Sequence, residues 1–197
     1  MFRRIGRILA FQALYSWSVG GVNIDDLLSF SWVERDFGDD GTSNENDNES
    51  DTTIDEDSPE GLIADNGIKY CLSEAQLKTF ESLPAEKKEE ILAFARLLVQ
   101  GTVENIDEID TIIKQHLAVT WNIDRINKVA LAVIRMSVYE LLYQKGTHAN
   151  IVIDEAVGIV KDYGSDDSHK FTNGILEKIS QSTSPQEKGI SSGSTKS

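Results

Sequence analysis

The first turns of the chain carry the densest group of side chains able to bind phosphate. Arg3, Arg4 and Arg7 fall within about a 100° arc if this segment is helical, since an α-helix has 3.6 residues per turn. Guanidinium groups bind phosphates with planar, forked geometry, so this edge is suited to a nucleic-acid backbone. Tyr15 follows on the same helix and could stack on a base. The alternatives are a solvated basic helix start, or a secretion signal, which the polar Gln12 disfavours by interrupting the apolar run.

A second group of candidates lies near the other end of the chain, after the capping segment 165–168. Phe171 is either a core residue of the last helix or an exposed stacking face beside the cation of Lys170. Asp166 and His169 form one Asp-x-x-His pair, whereas a di-iron bundle needs two Glu-x-x-His pairs. We therefore predict no metal site, and a helix-capping role for the aspartates.

The charge of the chain is unevenly distributed. The 197 residues carry a formal net charge of −14, which at first sight argues against a nucleic-acid partner. Eleven of the 33 acidic residues lie within 36–60, which holds no basic residue, and the remaining 22 acidic and 19 basic residues nearly balance. Segment 38–60 and the tail 181–197 are predicted to be disordered, because they offer too little apolar surface to offset the entropy of ordering.

Composition also excludes several classes of protein. Cys71 is the single cysteine, so the chain has no internal disulfide and no multi-cysteine zinc site. No apolar run is long enough to cross a membrane. The sequence contains no glycine-rich phosphate loop, no nucleophile elbow and no Cys/His pair, so we predict no catalytic site.

The rest of the pattern is helical. Ser73 and Gln76 form a capping box, which predicts a helix that starts at 74 and ends before Pro84. A second helix then begins at the proline, and its apolar period continues to Leu117. Gly101 lies inside that period and indicates either a break or a close helix contact.

Residues 126–143 are apolar nearly all round, which predicts a central, buried helix ended by Gly146. Asn150 is placed to cap the following helix. In total the pattern predicts about seven helices and no convincing strand, which is an all-α bundle.

Four blocks of sequence resemble the bacterial NusB family of transcription antitermination factors. These blocks are RRIGR (3–7) with AFQALYSW (10–17), VIRMSVYEL (133–141), VIDEAV (152–157) with Lys161, and GSDDSHKFTNGILEK (164–178). They occur in the family's order, and the last is long and specific.

The resemblance implies a bundle of two packed three-helix-type subdomains without catalysis or cofactor. It implies a cytoplasmic protein that binds single-stranded boxA RNA together with NusE, a small-subunit ribosomal protein. The complex acts on the RNA polymerase elongation complex with other Nus factors, notably in ribosomal RNA operons. It involves no membrane, and residues 1–180 would form the single binding domain.

The resemblance also carries residue roles. The RNA-binding residues would be Arg3, Arg4, Arg7, Tyr15, Lys170 and Phe171. Tyr163 and Asp167 fall in the region of RNA or NusE contacts. Ala130 stands where relatives commonly have an acidic residue, at a position expected to face the cationic partner.

Two other functions stay open as alternatives. One is a NusB-like module related to ribosomal RNA cytosine methyltransferases, which requires a downstream cofactor-binding α/β domain that we do not expect in these 197 residues. The other is a helical interaction protein that binds no RNA. The sequence does not fix the oligomeric state.

Overall fold

A computed structural model describes residues 2–35, 63–64, 67–68, 72–119, 121–165 and 167–183. The predicted disordered insertion 38–60 lies outside these ranges, as does most of the predicted tail. The helices are α1 (Phe2–Gly20), α2 (Ile24–Leu28), α3 (Trp32–Arg35), α4 (Glu74–Glu81), α5 (Ala85–Glu104), α6 (Ile106–His116), α7 (Lys128–Tyr143), α8 (Ala149–Tyr163) and α9 (Ser168–Thr183), with a 3-10 helix at Ile123–Arg125.

The described ranges also contain one small sheet, which the sequence did not predict. Strands β1 (Ile63–Ala64) and β2 (Gly67–Ile68) pair antiparallel. Two-residue strands are too short to show the alternation of apolar and polar residues by which strands are recognised. The described architecture is otherwise all-helical, and α9 reaches Thr183, beyond the predicted tail boundary at 181.

Helix starts follow local capping chemistry. Ser73 Oγ accepts a hydrogen bond from Gln76 N, and Gln76 Oε1 accepts one from Ser73 N, which confirms the capping box. Pro84 immediately precedes α5, as predicted. The cap predicted at Asn150 is wrong: His148 Nδ1 accepts a hydrogen bond from Asn150 N at 3.3 Å. Asn150 therefore lies in the first turn of α8, and its neighbour two residues earlier supplies the acceptor.

Helix α7 is the central element, as its apolar sequence predicts. It packs against α1, α5, α6, α8 and α9, and so joins helices from both halves of the chain. Val133, Ile134 and Val138 are fully buried within it. None of the helices in the described ranges is long and apolar enough to span a bilayer.

Gly101 marks a close contact between helices rather than a break. Helix α5 continues past it to Glu104, and the ring of Tyr139 on α7 lies directly over the glycine. A Cβ at this position would overlap the Cζ atom of Tyr139. The apolar period predicted to run on to Leu117 is instead interrupted at Asn105, where α6 begins a new helix.

Replacing Gly101 with alanine is expected to destabilise the fold by about 1–3 kcal/mol, because the methyl group must displace the Tyr139 ring in a packed interface. Urea unfolding followed by circular dichroism measures the change. Gly174→Ala on α9 is the matched control: its Cβ would meet nothing within 4 Å, so it should stabilise the helix by up to about 1 kcal/mol. A Gly101→Ala protein as stable as the control would contradict this packing account.

Candidate nucleic-acid interface

Arg7 is held in a buried ion pair. Its Nε donates to Glu140 Oε2 at 2.8 Å and its Nη2 donates to Glu140 Oε1 at 2.6 Å. The two side chains are 3% and 0% exposed. The expectation that Arg7 lies on an exposed edge of α1 is therefore wrong. Because a buried carboxylate is costly without a counter-charge, Glu140 on α7 draws the guanidinium into the core and leaves it unavailable to phosphate.

Arg3 lies at the exposed start of α1. Its Nη1 donates to Thr147 Oγ1 at 2.9 Å, in the loop between α7 and α8. Its guanidinium carbon lies 5.4 Å from the centre of the Phe94 ring on α5. Neither contact neutralises the positive charge, so Arg3 presents a cation to solvent where α1 meets α5 and the loop before α8.

Arg4 is engaged by two carboxylates of α8. Its Nη1 donates to Glu155 Oε2 and its Nη2 to Asp162 Oδ2, both at 3.0 Å. The guanidinium lies over Gly158, where a Cβ would approach Nη1 to 3.0 Å. About a third of the Arg4 side chain is exposed. An anion could reach it only in competition with these two carboxylates.

Two other predicted site residues lie in the core. Tyr15 is 2% exposed, so it cannot stack on a base, because its face on α1 packs into the bundle. Ala130 is 1% exposed in the first turn of α7, so its side chain does not form part of a partner surface. Tyr163 is half-buried, with its ring 5.1 Å from that of Phe11.

The second candidate group lies at the start of α9. The Lys170 ammonium donates to Asp167 Oδ1 at 2.8 Å, and both side chains are largely exposed. This hydrogen bond lowers the pKa of Asp167 and raises the pKa of Lys170. Phe171 is half-buried, and its ring stacks on Trp121 with 5.2 Å between ring centres and 14° between planes. The structure thus places Phe171 between the two alternatives, as a partly exposed ring packed on a second aromatic.

A cleft of about 240 Å³ opens beside this aromatic pair. Its lining includes Trp121, Lys170, Phe171, Gly174, Ile175 and Lys178. His116 also lines the cleft, and its Nε2 forms a hydrogen bond with Ser182 Oγ. Within the described ranges, no three His, Cys, Asp or Glu side chains are grouped as a metal site requires. The chemistry offered by the cleft is aromatic stacking flanked by cations.

The predicted binding residues therefore separate into two surface groups and a buried set. One group, Arg3 and Arg4, lies where α1 meets α8 and the loop before it. The other, Lys170 and Phe171, lies where α9 meets the loop that carries Trp121.

Comparison with known proteins identifies the family. The family model described as NusB family matches residues 64–181. A transcription antitermination protein NusB from Treponema denticola is 40% identical over 177 residues, which cover 90% of this chain and 94% of that protein. A protein of the same name from Treponema pallidum (strain Nichols) is 34% identical over 180 residues, covering 91% and 93%. This chain belongs to the NusB family.

Solved NusB structures share the fold. The structure of Thermotoga maritima NusB superposes with a TM-score of 0.58 at 25% identity, covering 94% of each chain. A structure of NusB and NusE in complex with double-stranded RNA has a TM-score of 0.58 at 23% identity, covering 92% of this chain and 97% of that one. These matches confirm the predicted NusB-like helical architecture.

Two residues that shape these surfaces, Glu140 and Trp121, were not predicted from the sequence of this NusB-family chain. The role of Glu140 could have been predicted, because it is the one carboxylate in the apolar stretch 129–143 and a buried carboxylate needs a cation. The contact of Trp121 could not have been predicted, because it lies in an irregular segment where no periodicity indicates which side chains meet.

Breaking the Arg7–Glu140 pair is expected to cost stability. Arg7→Met and Glu140→Met should each destabilise the fold by about 3–5 kcal/mol, because each leaves an uncompensated buried charge. The double variant should lose far less than the sum of the single variants, because no buried charge remains. Urea unfolding of all four proteins in a double-mutant cycle measures the coupling. Additive single effects below ~1 kcal/mol would contradict the pair's buried role.

Proposed function

We propose that this NusB-family chain is a non-enzymatic transcription antitermination factor that binds boxA-type single-stranded RNA jointly with the ribosomal protein NusE. Residues 1–180 act as one RNA- and protein-binding domain, in the cytoplasm, where bacterial transcription takes place. Bound to the RNA polymerase elongation complex with other Nus factors, the protein suppresses premature termination, notably in ribosomal RNA operons. Support comes from relatives named as antitermination proteins over most of the chain, and from the fold shared with a NusB–NusE–RNA complex.

The observation that carries this proposal is the aromatic pair beside lysines at the start of α9. Single-stranded RNA exposes both a phosphate backbone and unstacked bases, and proteins bind it by combining cations with aromatic rings. Phe171 and Trp121 supply the rings and Lys170 supplies an exposed charge. A purely protein-binding helical surface would not require this combination.

The proposed RNA contacts differ in how available they are. Arg3 is an exposed cation and binds phosphate directly. Lys170 is also exposed and exchanges its surface partner Asp167 for phosphate, and Phe171 contacts a base. Arg4 contributes once RNA phosphate competes with Glu155 and Asp162 for its guanidinium. Arg7 and Tyr15 act only by building the helix that carries the others.

The NusE contact is proposed for the neighbouring surface. Asp167 precedes α9 with its carboxylate largely exposed, so it offers a negative charge to the basic ribosomal protein. Tyr163, the last residue of α8, lies four positions before Asp167 in the sequence, and its ring is half-buried. This arrangement joins RNA and protein surfaces at one end of α9, which suits joint binding.

Arg3→Ala and Lys170→Ala should weaken RNA binding with little effect on folding. Each removes a charged hydrogen bond of ~1.5 kcal/mol, or about tenfold in affinity. The slope of log affinity against log salt should fall by about 0.7 for each phosphate that the variant no longer binds. Fluorescence anisotropy with a labelled single-stranded boxA RNA across a salt series measures both quantities, and thermal melting checks the fold.

Lys87→Ala is the matched control, because Lys87 is also an exposed lysine paired with an acidic residue three positions away. It should leave RNA affinity and salt slope nearly unchanged. If the unmodified protein binds no RNA at low salt, with or without NusE, the chain is a helical interaction protein and the proposal fails.

A further inference from the structure

Gly174 is a glycine that helix packing does not explain. It lies in the interior of α9, where glycine is the least favourable residue after proline. A Cβ at this position would meet no atom within 4 Å, whereas the Cβ positions of Gly101 and Gly6 are blocked by neighbouring side chains. Gly174 instead lines the cleft beside Trp121. The absence of a side chain at Gly174 therefore leaves the cleft open, and no close helix contact requires glycine at this position.

The wall of this cleft is suited to a planar ligand. Trp121 stacks on Phe171 with nearly parallel planes, yet about half of Trp121 stays exposed. Exposure of the apolar indole surface to water costs free energy, and a planar ligand stacked on the ring would bury that surface. Ile175, buried on α9, supplies the apolar floor.

Cations flank the open position on both sides. Lys170, Gly174 and Lys178 follow each other at intervals of four residues and therefore form one ridge of α9. With a rise of 1.5 Å per residue, the two lysines lie roughly 6 Å above and below the glycine along the helix axis. Lys170 pairs with the exposed Asp167, and within the described residues Lys178 has no ion-pair partner. Lys170 lies on one side of Gly174 and Lys178 on the other. A nucleotide within an RNA strand likewise has one phosphate on each side, so the two lysines are suited to bind both phosphates.

We propose that this cleft is a subsite for one unpaired RNA base, which enters over Gly174 and stacks beside Trp121 while Lys170 and Lys178 bind the neighbouring phosphates. The inference rests on the proposed RNA-binding function and adds three residues to it: Trp121 as a stacking surface, Gly174 as the open position and Lys178 as a phosphate contact. Single-stranded RNA is favoured over a peptide because the cleft joins aromatic faces to cations on both sides.

The decisive variant is Gly174→Gln, which fills the cleft with a side chain. Since its Cβ has free space and glutamine is a better helix former, the variant should fold and melt at a higher temperature than the unmodified protein. Its affinity for labelled single-stranded boxA RNA should nevertheless fall roughly 5- to 100-fold, the range expected when one stacked base is displaced. Ala75→Gln on α4 is the matched control, because it adds the same side chain at an exposed helical position. It should leave affinity unchanged.

Variants of Trp121 test the stacking itself. Trp121→Ala should weaken binding by a similar factor without changing the salt slope, and Trp121→Phe should retain most of the affinity. An RNA in which abasic nucleotides replace the bases should bind the unmodified protein and Trp121→Ala equally. Lys178→Ala should lower the salt slope by about 0.7.

The outcomes separate the subsite from the proposed function. If Arg3→Ala weakens RNA binding but Gly174→Gln and Trp121→Ala bind as tightly as the unmodified protein, the subsite is overturned and the function stands. If Gly174→Gln no longer binds NusE but keeps RNA, the cleft is a protein site and the inference is likewise wrong. If the unmodified protein binds no RNA at all, the proposed function itself fails. Should Trp121→Ala not fold, the Gly174→Gln result decides.

Discussion

The arrangement of the proposed RNA-binding surface depends on the buried pair between Arg7 and Glu140. A forked guanidinium bound through two nitrogens to both carboxylate oxygens fixes the rotation of α1 against α7, and not only their distance. Arg3 and Arg4 lie one turn before Arg7, so the same rotation sets where they emerge. Arg4 is thereby directed to α8 and Arg3 to the loop before it.

This constraint divides three similar side chains into different roles. A guanidinium with a buried carboxylate partner cannot be given up to phosphate without leaving that carboxylate uncompensated. The guanidinium of Arg4 lies on partly exposed carboxylates and can be exchanged, since pairs near the surface are weaker than buried ones. Arg3, which among the described residues contacts a hydroxyl and a ring, needs no exchange. Arg7 therefore supports the fold, whereas Arg4 and Arg3 are increasingly available for the proposed binding of RNA.

The helices could be predicted because their signals are local. The capping box of α4, the proline before α5 and the apolar length of α7 each specify an element from neighbouring residues.

The site could be predicted only in part. Residue types identified the basic start of α1 and the Lys170–Phe171 pair, but burial depends on which helix packs against which. A sequence does not show that Tyr15 faces inward, nor that an irregular segment brings Trp121 onto Phe171. The charge on Glu140 was the one local sign that an arginine belonged in the core.

In the proposed complex, RNA contacts the exposed start of α1 and the aromatic cleft of α9, and not the buried face between them. Ultraviolet cross-linking of the full chain to a single-stranded boxA RNA, with the modified peptides identified by mass spectrometry, tests it most directly. We expect cross-links at Trp121 and Phe171 and in the first turn of α1, and none at Tyr15. Cross-links at Tyr15, or confined to α4 and the start of α5, would contradict it.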